Sequence, residues 1–317
     1  MSLTWLRGSV AAAAMLAVAA VGCTSSAPHH TTPAPAAGPV PGVSIAAAGD
    51  IACSPKDPHF HALAGTPRHC QQRATSDLIL ALQPTAVLAV GDTQYQRATL
   101  ADFLRSYEPT WGRFKSITYP VAGNHEYESD ASGYYAYFGA HSGPKGLGYY
   151  SVDLSGWHLV ALNADCAAIG GCQHGSPEEA WLRADVAAHP GACTLAFWHE
   201  PRFSSGLHGD NATYAAWWHD LYAAHADVVV NGHDHDYERF APQDPDGKAD
   251  PRGIREFVVG TGGNSLRAMR ARQPNSQVFT DQDFGVLQLT LHPDGYTWRF
   301  VSVHGRRVMD SGQGSCH

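Results

Sequence analysis

Short apolar runs alternate with helix-like segments along most of the chain, and this alternation predicts an α/β fold. Runs bounded by Gly, Asp, Ser or Pro are typical of buried strands, whereas apolar residues three or four positions apart indicate helices. The predicted strands are 43–48, 86–90, 117–122, 149–154, 157–162, 194–197, 228–230, 286–291 and 296–303. The predicted helices cover 76–83, 100–107 and 214–224, and a fourth begins at 177. Two hairpins are predicted, one joining 149–154 to 157–162 and the other joining 286–291 to 296–303.

Capping residues support two of these helices. Ser176 precedes Pro177 and Glu179, an order that predicts a capped first turn with a reciprocal bond from the glutamate. Ser76 is the predicted cap of the helix that runs to Gln83. Strands and helices mixed in this way predict sheets covered by helices.

The first part of the chain resembles an export signal. Arg7 supplies the positive start, and residues 10–21 are apolar and rich in alanine but too short for a spanning helix of roughly 20 residues. The segment ends in Ala-Val-Gly-Cys at 20–23, which resembles a bacterial lipobox and predicts lipidation of Cys23. Ordinary signal cleavage with a free thiol is the alternative. We therefore expect an exported protein that is either anchored at the cell surface or secreted, and that contacts the membrane only through a lipid.

Residues 1–22 are thus a predicted lipoprotein signal peptide, and 23–42, rich in Ser, Thr, Pro, Ala and Gly, are a predicted tether. Residues 43–317 form the expected folded domain. The remaining cysteines are even in number, which in an exported protein predicts disulfides. Many pairings are open, but close spacing favours Cys166 with Cys172 and Cys53 with Cys70, leaving Cys193 with Cys316.

Charge and histidine content limit the kinds of partner that the protein is expected to bind. The net charge is -8 and no basic run stands out, so nucleic acid is not an expected partner. The chain contains 19 histidines, which draws attention to metal binding because imidazole is a common ligand.

Polar motifs follow the predicted strands, where α/β folds usually bind ligands. They are Gly-Asp at 49–50, Gly-Asp-Thr-Gln-Tyr at 91–95, Gly-Asn-His-Glu at 123–126, Trp-His at 198–199 and Gly-His-Asp-His at 232–235. A carboxylate can bridge two cations, a phenolate suits a trivalent ion, and imidazole and amide groups complete a ligand set. If the backbone is extended at 232–235, His233 and His235 point to the same side.

Each motif alone has an ordinary explanation. Asp50 could be a turn residue, Tyr95 a packing aromatic and His199 a core histidine. The segments 123–126 and 232–235 could be a capped turn and a polar loop. The complete set, in order along the chain, favours a metal site instead.

Together these motifs resemble those of the calcineurin-like metallophosphoesterase superfamily, and within it the purple acid phosphatases, from residue 45 to about 303. Many superfamily members carry a histidine two positions after the first aspartate, whereas this chain has Ala52 there and offers Tyr95 as the replacement ligand. That exchange favours the purple acid phosphatase branch. The resemblance implies a sandwich of two mixed β-sheets flanked by helices (αββα).

It also implies a centre of two metal ions. Fe(III) would bind Asp50, Asp92, Tyr95 and His235, and a divalent ion (Fe, Zn or Mn) would bind Asp92, Asn124, His199 and His233, with Asp92 bridging. His125 would contact the phosphate. His208 would be a leaving-group acid or a phosphate contact, although Gly209 stands where the family often has a second histidine. Glu126, Asp234 and Glu238 would orient imidazoles.

The implied activity is hydrolysis of small phosphate esters, foremost phosphomonoesters, by in-line attack of a metal-bound hydroxide. No Ser or Cys lies in a nucleophile-like motif, which disfavours a phosphoenzyme. A phosphodiesterase or nucleotide hydrolase with the same centre is one alternative. A non-catalytic surface lipoprotein that keeps the fold is another.

Overall fold

The computed structural model describes residues 42–317. The predicted signal peptide, Cys23 and nearly all of the predicted tether lie outside the described residues. Among the residues that are described, no helix has the length and apolar character needed to cross a membrane.

Strands and short helices alternate through this region. Its strands are β1 Val43–Ala48, β2 Ala86–Val90, β3 Thr118–Val121, β4 Tyr150–Leu154, β5 Trp157–Ala161, β6 Cys193–Phe197, β7 Val228–Asn231, β8 Tyr237–Phe240, β9 Arg255–Val259, β10 Ser276–Thr280, β11 Gly285–His292, β12 Gly295–Ser302 and β13 Val308–Ser315. Its α-helices are α1 Gln72–Leu82, α2 Leu100–Asp102, α3 Asn124–Tyr127, α4 Ser132–Phe138, α5 Cys166–Ile169, α6 Pro177–Ala188 and α7 Ala215–Ala223. A π-helical turn, Phe103–Tyr107, continues α2, and 3-10 turns cover His61–Leu63, Trp111–Ile117, Gly139–Ser142 and Ala212–Tyr214.

The strands form two mixed sheets. The first has the order β13-β12-β11-β1-β2-β3, with β1, β2 and β3 parallel and the C-terminal strands antiparallel. The second has the order β10-β8-β9-β7-β6-β5-β4, with β5, β6, β7 and β9 parallel. The predicted sandwich of two mixed sheets flanked by helices is confirmed.

The alternation of side chains along β6 and β7 explains the layers. Leu195 and Phe197 of β6 lie in the main core, which also takes residues from the first sheet. Ala196 and Trp198 lie in the second core with side chains of α6 and α7. Successive strand residues point to opposite faces, so strands that are apolar throughout can bury both faces of a sheet.

Several predicted boundaries need correction. The first helix begins at Gln72, not after Ser76, whose hydroxyl donates to the carbonyl of Thr110 at 2.7 Å. Ser176 does cap α6, but the carboxylate of Glu179 accepts from Gly175 N at 2.9 Å. Strands β8, β9, β10 and β13 were not predicted. β10 is only partly buried and lacks an apolar run, and the glycines of β13 hide its strand character.

Three disulfides tie the domain together, and their pairing is the one that the spacing favours. They are Cys53–Cys70, Cys166–Cys172 and Cys193–Cys316. The last joins β6 to the end of the chain after β13, across a sequence separation of 123. It therefore fixes the C-terminal strand against the second sheet.

Candidate metal centre

The polar motifs meet where the carboxyl ends of the two sheets face each other. Asp50 follows β1 and Asp92 follows β2 in the first sheet, whereas His199 and His233 follow β6 and β7 in the second. Parallel strands bring their carboxyl ends to one edge of a sheet. The sheets are joined at this edge, because Gly49 N donates to Val259 O at 2.9 Å.

One half of the cluster surrounds the phenol of Tyr95. Its oxygen lies 2.7 Å from Asp50 Oδ1 and 2.8 Å from Asp92 Oδ2. His235 Nε2 lies 3.1 Å from the same phenol oxygen and 3.2 Å from Asp50 Oδ1. These four side chains are buried. The structure thus brings together the residues expected to hold the trivalent ion.

The other half surrounds His199. Its Nε2 lies 3.3 Å from Asp92 Oδ2 and 3.2 Å from His233 Nδ1. Ligand atoms of Asp50, Asp92 and His199 all lie within 4.8 Å of one another. Asp92 Oδ2 is near both Tyr95 and His199, so a single oxygen atom connects the two halves of the cluster.

The backbone is unusual at three of these positions. Asp50, Asp92 and His233 have φ values of 58°, 45° and 68°. A non-glycine residue in this region carries strain of about 1–3 kcal/mol, and such strain is concentrated at functional sites. The backbone at 232–235 is therefore not extended, so the condition under which His233 and His235 would point to the same side of a strand is not met. Both imidazoles reach the cluster from a turn, in which His233 N donates to Asp50 Oδ2 at 2.8 Å.

Glycines allow the loops to approach each other closely. A Cβ at Gly91, where φ is +86°, would clash with the His199 ring, and a Cβ at Gly123 would clash with Asp92 Oδ1. These glycines explain why the motifs begin as they do. In each case a side chain from another strand-end loop occupies the space that a Cβ would need.

Carbonyl groups and one serine fix the imidazole rings. Val90 O lies 2.9 Å from His199 Nδ1, and Gln96 O lies 2.7 Å from His125 Nδ1. Ser265 contacts His235 Nδ1 with both its carbonyl oxygen, at 3.0 Å, and its hydroxyl, at 2.8 Å. Each contact leaves the other ring nitrogen for the cluster or the cavity. Sequence reasoning missed Ser265, although it follows strand β9 in a run of glycine and polar residues.

The three carboxylates expected to orient imidazoles bind loop groups instead. Glu126 accepts from Gly123 N at 2.7 Å and from Thr93 Oγ1 at 2.8 Å. Asp234 accepts from His208 N at 2.9 Å. Glu238 accepts from both the amide and the hydroxyl of Ser205 at 2.8 and 2.5 Å. Within residues 42–317, the hydrogen bonds of these carboxylates join backbone amides and hydroxyls of the loops that carry the site, and none of them joins an imidazole ring.

The carboxylates of the cluster are strongly acidic. Burial opposes the ionisation of Asp50, but His235 and His199 outweigh it and lower its pKa to about 2. Burial acts in the same way on Asp92, yet His199 and His125 hold its pKa well below the ordinary value. Both side chains are therefore available as anionic ligands at neutral and mildly acidic pH.

The pKa values of the two imidazoles, His199 and His233, are shifted in opposite directions by their surroundings. Burial would lower the pKa of His199, but Asp92 and Asp50 raise it to about 10. Burial and the neighbouring His199 and His208 lower the pKa of His233 to about 3. In the metal-free protein the carboxylates thus favour the protonated form of His199, whereas the surroundings of His233 favour the neutral form that can bind a cation.

The phenol needs a cation to ionise here. Burial, together with the charges of Asp50 and Asp92, raises the pKa of Tyr95 well above its ordinary value. A bound metal ion reverses such an effect, since its positive charge favours the anionic form of a ligand.

A cavity of about 50 Å³ opens on the cluster. Its lining residues are Asp92, Asn124, His125, His208, His233, His235 and Arg267. His125 and His208, the residues expected on the substrate side, thus lie at the same cavity as four of the expected ligands. Arg267 was not predicted, because no motif marks it.

The donor set fits two cations. Asn124 Oδ1 is buried and has no hydrogen-bond partner within residues 42–317. A buried amide oxygen without a partner is costly unless something else binds it. Aspartate, asparagine, phenol and imidazole groups together suit an iron ion paired with one divalent ion such as zinc or manganese. The residues therefore fit the centre that the sequence motifs imply.

Comparison with known proteins agrees with this geometry. Residues 43–237 match the family described as calcineurin-like phosphoesterase. The chain belongs to this family. The matched region contains every expected ligand from Asp50 to His235, but it ends before Ser265 and Arg267.

Its similar relatives include plant enzymes of the family. The chain is 29% identical to purple acid phosphatase 15 of Arabidopsis thaliana over 227 residues, covering 57% of this chain and 40% of that protein. It is 27% identical to purple acid phosphatase 18 of the same plant over 240 residues, covering 67% and 52%. The chain thus spans about half the length of these relatives.

Among solved structures, the fold is similar to that of purple acid phosphatase PPD1 from yellow lupin (Lupinus luteus) seeds. The TM-score is 0.71 at 16% identity, and the match covers 86% of this chain and 53% of the lupin chain. At this identity the likeness concerns the fold.

Proposed function

We propose that this protein hydrolyses phosphate esters, foremost phosphomonoesters, at a centre of two metal ions. The observation that carries the proposal is the position of Asp92 Oδ2, 2.8 Å from Tyr95 Oη and 3.3 Å from His199 Nε2. One carboxylate oxygen between two groups of ligands is what a bridged pair of cations requires. Membership of the phosphoesterase family supports the same reaction.

We assign the ligands in two sets that share Asp92. The first set would hold Fe(III) and contains Asp50, Asp92, Tyr95 and His235. The second would hold a divalent ion, Fe, Zn or Mn, and contains Asp92, Asn124, His199 and His233. When bound, the two cations would polarise the phosphate and supply a nucleophile from water.

The side chains around the cavity would bind and orient the ester. His125 Nδ1 donates to Gln96 O at 2.7 Å, so Nε2 is left for the cavity. In its protonated form this nitrogen can donate to a phosphate oxygen and stabilise charge that develops during transfer. The expected contact of His125 with the phosphate therefore has a suitable geometry.

His208 is better suited to accepting a hydrogen bond from Arg267 than to donating a proton to the leaving group. Its Nε2 lies 3.1 Å from a guanidinium nitrogen of Arg267. Arginine can only donate, so this imidazole nitrogen accepts and carries no proton in that contact. We therefore assign His208 to the phosphate side of the cavity and leave the leaving-group acid unassigned.

A non-catalytic role is the alternative that the ligand set argues against. All seven proposed ligands are present, and three of them, Asp50, Asp92 and His233, keep a strained backbone. A protein that no longer bound metal would have no reason to retain that strain.

The test begins with metal analysis of the purified protein and hydrolysis of p-nitrophenyl phosphate and its bis ester. We expect close to two metal ions per chain and a preference for the monoester. Asp92→Asn should reduce hydrolysis by about 100-fold or more, since a ligand matters at least as much as the groups that support it. Asp77→Asn is the matched control, because that carboxylate is exposed and pairs with Arg113 at 2.7 Å. Wild-type activity in the Asp92 variant would refute the proposal.

We further propose that the protein is exported and anchored through a lipid on Cys23. The lipobox-like sequence at 20–23 and the three disulfides support this location, because disulfides persist in oxidising compartments. Labelling with radioactive palmitate should be lost in Cys23→Ala. Labelling that persists in this variant would exclude the anchor.

A further inference from the structure

Arg267 lies beside the metal centre although no motif marks it. It lines the cavity of about 50 Å³ together with Asp92, Asn124 and His125. Among the residues that line this cavity, it is the one whose side chain carries a permanent positive charge. Arg267 is a partly buried residue.

No carboxylate neutralises this charge. Within residues 42–317, the ion pairs with separations up to 4.0 Å do not include Arg267. Other arginines of the protein do have such partners, for example Arg239 with Asp310 at 2.7 Å. A guanidinium without a counter-ion at a cavity is placed to bind an anion.

The position of Arg267 is fixed at both ends. Its backbone N donates to His235 O at 3.0 Å, which joins it to the loop that carries a proposed metal ligand. Its guanidinium donates to His208 Nε2 at 3.1 Å. His208 is itself held by Asp234, which accepts from its backbone N at 2.9 Å. A group held in this way loses little conformational freedom when an anion binds.

We propose that Arg267 binds the phosphate group of the substrate and favours monoesters, which carry one more negative charge than diesters. The inference rests on the proposed phosphoesterase function. The planar guanidinium can donate two parallel hydrogen bonds to phosphate oxygens, a geometry that lysine cannot reproduce. His208 is a positioning residue, because it accepts from Arg267 and thereby directs the guanidinium towards the cavity.

Binding of inorganic phosphate tests this directly and does not depend on catalysis. The metal-loaded protein is titrated with phosphate in a calorimeter, as wild type and as Arg267→Ala, Arg267→Lys and Arg272→Ala. We expect Arg267→Ala to weaken phosphate binding about tenfold or more, as for loss of a charged hydrogen bond. The phosphate affinity of Arg267→Lys should lie between those of the wild type and the alanine variant, since lysine keeps the charge but cannot donate two parallel hydrogen bonds.

Arg272 is the matched control from the same segment. Its guanidinium donates to the carbonyls of Ser276 and Gln277, at 3.2 and 2.8 Å, and it does not line the cavity. Arg272→Ala should bind phosphate as wild type does, and all variants should hold the same amount of metal. Equal phosphate binding by wild type and Arg267→Ala would overturn the inference.

Kinetics separate this inference from the proposed function. Arg267→Ala should raise KM for p-nitrophenyl phosphate by a larger factor than KM for the bis ester, with a smaller change in kcat. A wild-type protein that binds phosphate through Arg267 but hydrolyses neither ester would refute the proposed function and leave only the phosphate-binding role of Arg267 supported. Equal increases in KM for the two esters would contradict the preference for monoesters.

The positioning role of His208 has its own readout. Because His208 acts through Arg267, His208→Ala should weaken phosphate binding in the wild-type background and have little further effect in Arg267→Ala. Additive losses in the double variant would show that the two residues act independently and would refute the positioning role.

Discussion

The phenol oxygen of Tyr95 lies 2.8 Å from Oδ2 of Asp92, and both side chains are buried. Burial and two carboxylates raise the pKa of this tyrosine well above its ordinary value. A phenol in this position is therefore a poor acid until a cation binds. The arrangement couples ionisation of Tyr95 to metal binding.

Replacement of Tyr95 by phenylalanine should remove the phenolate and keep the fold. In the iron-loaded protein we expect loss of any visible charge-transfer absorption and weaker retention of Fe(III) during dialysis against a chelator. Tyr107→Phe is the control, because Tyr107 is also buried and its hydroxyl has no hydrogen-bond partner within residues 42–317. An unchanged absorption spectrum in Tyr95→Phe would exclude the phenolate as an iron ligand.

Metal affinity should rise with pH. In the metal-free protein the pKa of His199 is raised to about 10, so the ring is protonated at neutral pH. A cation at Nε2 requires the neutral ring, and the proton must leave when the cation binds. Affinity should increase by up to about tenfold per pH unit below that pKa, because one proton competes with the metal. Chelator competition at several pH values measures this, and a pH-independent affinity would rule out His199 as a ligand.

Alanine at Gly91 should disturb the site more than alanine at Gly146. Both glycines have φ of +86°, which costs an alanine about 1–2 kcal/mol in the free energy of unfolding. A Cβ at Gly91 would also clash with His199, whereas a Cβ at Gly146 meets nothing within 4 Å. Urea unfolding should therefore show a larger loss for Gly91→Ala, accompanied by weaker metal binding. Equal losses of unfolding free energy in the two variants would mean that the loops around Gly91 relieve the clash with His199 without a cost in stability.

The disulfide between Cys193 and Cys316 should contribute more to stability than the one between Cys166 and Cys172. The former spans a sequence separation of 123 and the latter only 6. A longer closed loop removes more conformational entropy from the unfolded chain, and such bonds contribute about 2–4 kcal/mol. Paired serine variants compared by denaturant unfolding measure the difference. A larger loss of unfolding free energy on removal of the Cys166–Cys172 bond would show that effects in the native state dominate.

The sequence predicted the central strands and marked the residues that we propose as metal ligands, because both depend on local patterns. Strand β2 is apolar throughout, strand β1 is apolar except for Ser44, and both end at the polar motifs. Strands β10 and β13 lack that pattern, since their pairing with neighbours, and not their composition, makes them strands. The start of α1 was misplaced because the hydroxyl of Ser76 bonds to Thr110, a residue distant in sequence.

The sequence by itself indicated the fold class and the residues proposed as ligands, and its spacing favoured one cysteine pairing, because residue types at strand ends and short spacings are local properties. Only the tertiary structure decided which groups orient those ligands. Ser265 and Val90 fix imidazoles through contacts between distant segments, and Arg267 faces the cavity because its loop binds the loops of His208 and His235. A backbone carbonyl has no signature in the sequence. The sequence also does not show whether the charge of an arginine is paired, because its partners come from distant segments.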